Sequence, residues 1–154
     1  MILPETTVSE IMGLLEIISD YGGKEDIAKL ADDFDLEIDE ILPEAQAAEL
    51  LGFTVIEGGD IRLSEDGKKI IKSSIKERKK LFKDHILKLE IFKKIISFIE
   101  SRKGKIKKEE AVEFLRQHLP GDAKVNLRDI INWGRYAGVL TYNSEQDELS
   151  IILR

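Results

Sequence analysis

The sequence predicts a mainly α-helical α+β protein with small β-hairpins, organised as two similar units joined by a long helix. A helix end, a glycine, a short apolar strand, a polar turn and a second strand occur at residues 45–63 and again at 133–151. The apolar residues before each hairpin recur at helical spacing. Gly52 and Gly138 hold equivalent places, each where a helix should end in a positive φ. Helices followed by a hairpin in this order predict winged helix-turn-helix-like units.

The first unit is predicted over residues 1–75. Thr6 or Thr7 can cap its opening helix, and Thr7 and Glu10 have the spacing of a capping box. The pair Gly22-Gly23 should end that helix. The other elements predicted here are a helix at 24–34, a helix within 36–51 and hairpin strands at 53–57 and 60–63.

The second unit, residues 76–154, is predicted to open with a long linking helix. This helix should begin after Ser64, at the end of the first unit, and continue into the second unit through Arg102, with a break near Ser73–Ser74. Between Leu81 and Ile99 apolar residues cover well over half of the helix circumference, which exceeds the stripe of a helix packed on one side. The pattern predicts burial on two sides, either between the units or in a homodimer seam. Further helices are predicted at 107–119 and 125–137, before the last hairpin.

The composition is that of a folded protein without cysteine chemistry. Hydrophobic residues make up 42% and charged residues 35% of the 154 positions, a balance typical of globular proteins. The absence of cysteine excludes disulfides, thiolate metal sites and a cysteine nucleophile, and suits a reducing cytoplasm. No apolar run approaches the roughly 20 residues that span a bilayer. We therefore expect a cytoplasmic protein with no direct membrane insertion.

The net charge of −6 conceals a division between the two units. Residues 1–75 contain 6 Lys/Arg and 18 Asp/Glu, whereas residues 76–154 contain 18 Lys/Arg and 12 Asp/Glu. The first unit is therefore acidic and the second basic, so that they favour partners of opposite charge.

No catalytic motif is present in the sequence. Gly22-Gly23-Lys24 and Gly58-Gly59-Asp60 lack the spacing and the Ser/Thr of a phosphate-binding loop. His85 and His118 lie far apart and have no neighbouring His or Cys, which gives a zinc site or a catalytic triad little support. We expect no enzyme, no cofactor and no metal.

Five acids have the spacing of a calcium-binding loop: Asp33, Asp35, Glu37, Asp39 and Glu44. The loop requires glycine at the position of Ile38 and a ligating side chain at that of Ile41. The pattern instead favours the solvated start of a helix, with Leu36, Ile38 and Ile41 pointing inward.

Nucleic-acid binding is the main alternative class, because winged helices are often used that way. Recognition helices must meet phosphates and should be basic. The third helix of the first unit is acidic and would repel DNA. In the second unit Lys124, Arg128 and Arg135 are candidate DNA contacts, although the following hairpin is acidic.

The segment around Trp133 is the most individual cluster in the sequence. Trp133, Arg135 and Tyr136, together with Phe92 in the proposed seam, are candidate protein contacts, because aromatic residues and Arg dominate binding hot spots. The alternative, which we favour, is that Trp133 and Tyr136 pack beneath the hairpin and Arg135 pairs with an acid.

Five segments carry a resemblance to a known family: PETTVSEIMGLLEII, DIAKLADDFDLEIDEILPEAQAAELLGF, DIRLSEDGKKI, ERKKLF and INWGRYAGVL. Over residues 3–149 the sequence is similar to the AAA-associated C-terminal domain, which follows the ATP-binding subunit of nitrate/sulfonate/taurine-type ABC transporters.

The resemblance implies a regulatory domain attached to a transporter ATPase. The Walker A, signature and Walker B motifs are not carried in this sequence, so ATP hydrolysis does not transfer, and we expect a stand-alone chain. The resemblance and the charge division predict a non-catalytic interaction module. Its expected partner is an ABC transporter ATP-binding subunit at the inner face of the membrane, or a second copy of itself through Leu81–Ile99. A DNA-binding transcriptional regulator is the alternative.

Overall fold

The computed structural model describes residues 2–152, and its mainly α-helical fold with two small antiparallel sheets confirms the predicted fold class. In chain order the elements are α1 Val8–Asp20, β1 Lys24–Asp26, α2 Ile27–Asp33, α3 Ile38–Leu50, β2 Thr54–Glu57, β3 Asp60–Leu63, α4 Glu65–Lys72, α5 Ile75–Ile86, α6 Glu90–Ser101, β4 Lys105–Lys107, α7 Lys108–His118, α8 Ala123–Tyr136, β5 Leu140–Asn143 and β6 Glu148–Ile151.

The chain divides into two compact units, one of which is Pro4–Arg78 while the other continues from Lys79. The boundary lies within α5. In each unit a helix, a strand, two helices and a hairpin follow one another: α1, β1, α2, α3, β2 and β3 in the first, and α6, β4, α7, α8, β5 and β6 in the second.

Each unit contains one three-stranded antiparallel sheet with the last strand of its hairpin at the centre. The orders are β1-β3-β2 and β4-β6-β5. In the first sheet Ile61 of β3 lies between Glu25 and Ile56, and in the second Leu149 of β6 lies between Ile106 and Tyr142. The predicted hairpins are therefore present in both units.

The outer strands β1 and β4 differ from the prediction, which places residues 24–26 and 107 at the starts of helices. Each strand is only three residues long. Helix α2 begins after β1, where the side chain of Asp26 accepts a hydrogen bond of 2.9 Å from the Lys29 N–H.

Helix ends follow the sequence signals closely at several positions. The capping box of Thr7 and Glu10 is present at the start of α1. Gly52 and Gly138 have φ values of 85° and 74°, as predicted for residues that end a helix. The next N–H in each case donates back to a helix carbonyl, from Phe53 to Ala48 and from Val139 to Gly134, both at 2.9 Å.

The predicted long linking helix is wrong, because the segment forms three helices. The expected break at Ser73–Ser74 separates α4 from α5, and a second break at residues 87–89 separates α5 from α6. At the second break Leu89 adopts an extended conformation with φ −75° and ψ 130°. The apolar residues between Leu81 and Ile99 thus belong to two helices rather than one.

The division into two helices explains the wide apolar pattern without a homodimer seam. The buried residues of α6 are Ile91, Phe92, Ile95 and Ile99, which lie within about 100° of one another at 3.6 residues per turn. This is a one-sided stripe of ordinary width. The observation that suggested a seam through Leu81–Ile99 is therefore accounted for within one chain.

Each unit has its own apolar core of fully buried side chains. In the first unit these include Ile11, Leu15, Ile18, Leu30, Phe53, Ile61 and Ile70, and in the second Phe82, Ile86, Phe92, Ile95, Ile99, Leu115, Ile130, Trp133 and Leu149.

Candidate interaction surfaces

Trp133 lies at the centre of the second unit's core. Its indole stacks on Phe92 with 6.4 Å between ring centroids and 9° between planes, and meets Phe82 edge-on at the same centroid distance. All three side chains are fully buried. The structure therefore corrects the contact assignment of Trp133 and Phe92, because neither side chain reaches a surface where a partner could bind.

Tyr136 and Arg135 are more accessible. The Tyr136 ring is half-buried and lies edge-on to Phe82 at 5.2 Å, while the Lys79 ammonium lies 5.8 Å from its centroid. Arg135 is exposed at the end of α8. Of the four candidate protein contacts, only these two present atoms to solvent.

Gly134 allows α8 to approach β5 closely. A Cβ atom at this position would lie 2.7 Å from Leu140 Cδ1 and 3.0 Å from its Cγ, distances at which the leucine would have to move. The glycine of this cluster is therefore explained by packing against the hairpin.

The three candidate DNA contacts form one row on α8. Lys124, Arg128 and Arg135 are exposed and lie within about 40° of one another around the helix, spread over about 16 Å of its axis. A groove of about 360 Å³ follows the first part of this row. Its lining consists of Lys108, Lys124, Leu127, Arg128, Ile131 and Tyr142.

Lys108 is the one basic residue of this groove that the sequence does not identify as a candidate. It is the first residue of α7, and its N–H donates to the Asp147 carbonyl at 2.8 Å in the turn between β5 and β6. The helix start and the turn therefore meet, and Lys108 lines the groove together with Lys124 and Arg128 of α8. No local signal in the sequence predicts this contact, because 39 residues separate its two ends.

Acidic groups border the basic groove on the side of the hairpin. The Tyr142 hydroxyl donates to Asp147 at 2.7 Å, and this hydrogen bond to a carboxylate raises the pKa of Tyr142. Glu148 pairs with Lys107 at 3.5 Å. The α8 row is basic, whereas the hairpin beside it is acidic, as the sequence indicated, and acidic groups disfavour contact with phosphates.

The equivalent helix of the first unit, α3, is preceded by an acidic and unexpectedly apolar surface. Residues 32–40 are all exposed. Phe34, Leu36 and Ile38 show 43%, 38% and 45% of their surfaces to solvent, so the expectation that Leu36 and Ile38 point inward is wrong. Of the three apolar residues predicted to point inward, only Ile41, one turn into α3, is buried.

The acids with calcium-loop spacing do not converge. Asp33 accepts a hydrogen bond of 2.6 Å from the Tyr21 hydroxyl, and Glu37 and Asp39 lie at the start of α3. Within residues 2–152 no group of three or more His, Asp or Glu side chains could hold a metal ion.

The two histidines lie in different environments. His85 is buried in α5, whereas His118 is exposed at the end of α7, stacks on Phe114 with 4.1 Å between ring centroids and places Nδ1 2.7 Å from the Phe114 carbonyl.

Two units of helices and a three-stranded sheet define the class of fold, and comparison with known families identifies the chain more closely. The model of the C-terminal AAA-associated domain family matches residues 28–143. The chain belongs to this family, as the sequence resemblance indicated. No curated protein and no solved structure matches it. Among the described residues no helix is both long and apolar enough to cross a membrane.

Proposed function

We propose that the chain is a non-catalytic regulatory module that docks on the ATP-binding subunit of an ABC transporter of the nitrate/sulfonate type. The observation that carries the proposal is membership of the C-terminal AAA-associated domain family over a range that runs from α2 to β5 and includes parts of both units. ATP hydrolysis is assigned to the partner, since this sequence contains no phosphate-binding loop.

The arrangement of each unit supports an interaction role. Three helices and a sheet whose central strand is the last one fit a winged helix, a fold that presents one helix and a hairpin to a partner. In the first unit the presented helix is acidic and in the second it is basic. Opposite charges on the two units favour two distinct contact regions on the partner.

Binding and regulation can be tested with purified proteins. Isothermal titration of the chain into a purified ATP-binding subunit of a nitrate/sulfonate-type transporter should give a saturable heat, and the subunit's ATPase rate should change as the site saturates. A matched titration into an ATP-binding subunit of an unrelated transporter class should give neither effect. Absence of both effects with the intended subunit at tens of micromolar protein would reject the proposal.

DNA binding is the second candidate, and the row Lys124, Arg128 and Arg135 is the observation that favours it. Fluorescence anisotropy with mixed-sequence duplex DNA at two salt concentrations provides the test. If the row contacts phosphates, Arg128→Ala/Arg135→Ala should reduce the slope of log K against log salt by about 2.

A matched control for this experiment is Arg102→Ala/Arg116→Ala. It removes the same charge from the second unit, at residues that pair with Glu110 and Glu113. Equal loss of binding in both double variants would show attraction to net charge rather than to the row. No binding at low salt would eliminate this candidate.

A further inference from the structure

The first unit exposes three large apolar side chains that lie close together in sequence. Within residues 2–152, seven large hydrophobic side chains are exposed, and three of them, Phe34, Leu36 and Ile38, fall within five consecutive positions. Isolated exposed apolar residues are normal on protein surfaces, whereas clustered ones indicate an interaction site. We call these three side chains the apolar ridge.

The backbone of this segment is held in place by hydrogen bonds. The Leu36 N–H donates to the Ala31 carbonyl at 2.9 Å, and the Asp35 N–H donates to the Asp32 carbonyl at 3.0 Å. The Glu37 N–H donates to the Glu40 carboxylate at 2.9 Å. A ridge fixed in this way loses little backbone freedom on binding, which lowers the entropic cost of association.

The charges around the apolar ridge define what can cover it. No Lys or Arg occurs between Lys29 and Arg62. Six exposed acids flank the ridge in sequence: Asp32, Asp33, Asp35, Glu37, Asp39 and Glu40. Their field repels nucleic acids and anionic lipid surfaces and attracts cations. An occupant must therefore combine apolar side chains with flanking positive charge.

We infer that the apolar ridge docks a protein segment that presents apolar side chains flanked by Lys or Arg. The inference rests on the proposed function, because the ATP-binding subunit is the expected source of this segment. Apolar contact supplies the binding free energy, and the acids select a basic partner and increase its rate of encounter.

A synthetic helical peptide of leucine and lysine, with leucines at helical spacing, serves as the probe. Its counterpart with glutamate in place of lysine is the charge-reversed control. Anisotropy of the labelled peptides should show binding of the Leu/Lys peptide to the full chain and none of the Leu/Glu peptide. Binding of both peptides, or of neither, would overturn the inference.

Variants separate the contribution of the apolar side chains to peptide binding from the contribution of the acids. Phe34→Ser/Leu36→Ser/Ile38→Ser should weaken peptide binding about tenfold or more, since each truncation removes buried apolar area. Ile75→Ser is the matched apolar control, because Ile75 is 77% exposed and lies outside the ridge, and it should leave binding unchanged. Equal affinities of the triple variant and the control would overturn the inference.

Asp35→Asn/Asp39→Asn tests the charges and remains informative if the triple variant fails to fold. Asn tolerates the positive φ of 55° at position 35. This variant should bind the Leu/Lys peptide about threefold more weakly at low salt, with the difference disappearing as salt screens the charges. If this variant binds the Leu/Lys peptide as tightly as the wild type at every salt concentration, the acids do not select a basic partner.

Two further comparisons, made with the transporter subunit itself, show whether the docking surface or the proposed function is wrong. If the wild-type chain binds the transporter subunit and the triple variant binds it equally, the docking surface is wrong while the proposed function stands. If the wild type fails to bind the subunit but binds the peptide through the ridge, the proposed function is wrong and the surface stands. A wild-type dimer in sedimentation that dissociates in the triple variant would assign the ridge to a second copy and overturn the inference.

Discussion

Trp133 and Phe92 lie parallel to each other, with 6.4 Å between their ring centroids and 9° between their planes. One side chain comes from α8 and the other from α6, so the pair joins two helices of the second unit. Both side chains are fully buried. Aromatic pairs of this kind contribute to stability beyond the area that they bury.

Phe92 substitutions should therefore act on folding rather than on association. Phe92→Ala should lower the free energy of unfolding by about 3–5 kcal/mol, the usual cost of deleting a buried phenyl group. Phe92→Asp should leave the second unit unfolded, since it places a charge in an apolar core. Urea unfolding followed by Trp133 fluorescence measures both effects. A folded, monomeric Phe92→Asp protein derived from a dimeric wild type would instead support the homodimer seam.

Three helical glycines should respond differently to alanine. At Gly67 a Cβ would lie 2.0 Å from the Phe53 carbonyl oxygen, and at Gly134 it would meet the movable Leu140 side chain at 2.7 Å, whereas Gly13 has no atom within 4 Å. We expect Gly67→Ala to destabilise by about 3 kcal/mol or more and Gly134→Ala by about 1–3 kcal/mol. Gly13→Ala should stabilise by about 0.5–1 kcal/mol.

Thermal unfolding of the three glycine variants checks this order directly. Because Gly13 and Gly67 belong to the same unit, Gly13→Ala is the control for the general effect of alanine on helix stability. If Gly67→Ala proves as stable as Gly13→Ala, the close approach of α4 to Phe53 is incorrect.

The break before α5 depends on Ser74. The Ser74 hydroxyl accepts a hydrogen bond from the Glu77 N–H at 3.2 Å, and the Glu77 carboxylate accepts one from the Ser74 N–H at 3.1 Å. The Ser74 hydroxyl also donates to the Glu77 carboxylate at 2.9 Å. The two hydrogen bonds that this carboxylate accepts, first from the Ser74 N–H and then from its hydroxyl, lower the pKa of Glu77. Ser74→Ala should cost about 1 kcal/mol, whereas Ser101→Ala at the end of α6 should cost less, because it removes no helix N-cap. Urea unfolding of the two variants measures the difference.

The same pair gives a pH dependence of known sign. A lowered carboxyl pKa in the folded state stabilises the protein above the ordinary value of 4.5, and this contribution is lost as the pH falls through the folded pKa. The stability difference between wild type and Glu77→Gln should therefore shrink below pH 4.5. A difference that stays constant down to pH 2 would show that Glu77 is not linked to folding.

Local signals in the sequence account for much of this fold. Ser74 and Glu77 have the Ser-x-x-Glu spacing of a capping box, and Gly52 and Gly138 mark helix ends, so these features could be predicted. At Leu89 the second break has no capping side chain, and the sequence carries no glycine or proline there. That break depends on tertiary packing, which a local pattern does not contain.

Strands β1 and β4 were missed for a related reason. Each has three residues, too few to show an alternating pattern, and each exists through pairing with a strand more than 30 residues away. The candidate surfaces show the same limit. The cations at positions 124, 128 and 135 share a helix face that spacing alone predicts, whereas the exposure of Leu36 and Ile38 depends on where the core of the first unit ends.

Glu44 provides a last test, because its ionised carboxylate should lower the stability of the first unit. It lies half-buried on α3, and burial, with a smaller contribution from Glu10, raises the pKa of its carboxyl above the ordinary value of 4.5. The folded state therefore binds this proton more tightly than the unfolded chain does, so ionised Glu44 destabilises the protein at neutral pH.

Glu44→Gln should raise Tm at pH 7, and the gain should decline as the pH falls through the raised pKa towards 4.5. Glu57→Gln, on an exposed hairpin position, is the control for loss of one negative charge, and thermal scans at a series of pH values measure both variants. A Glu44→Gln protein less stable than the wild type at pH 7 would show that the charged carboxylate is favourable in the fold.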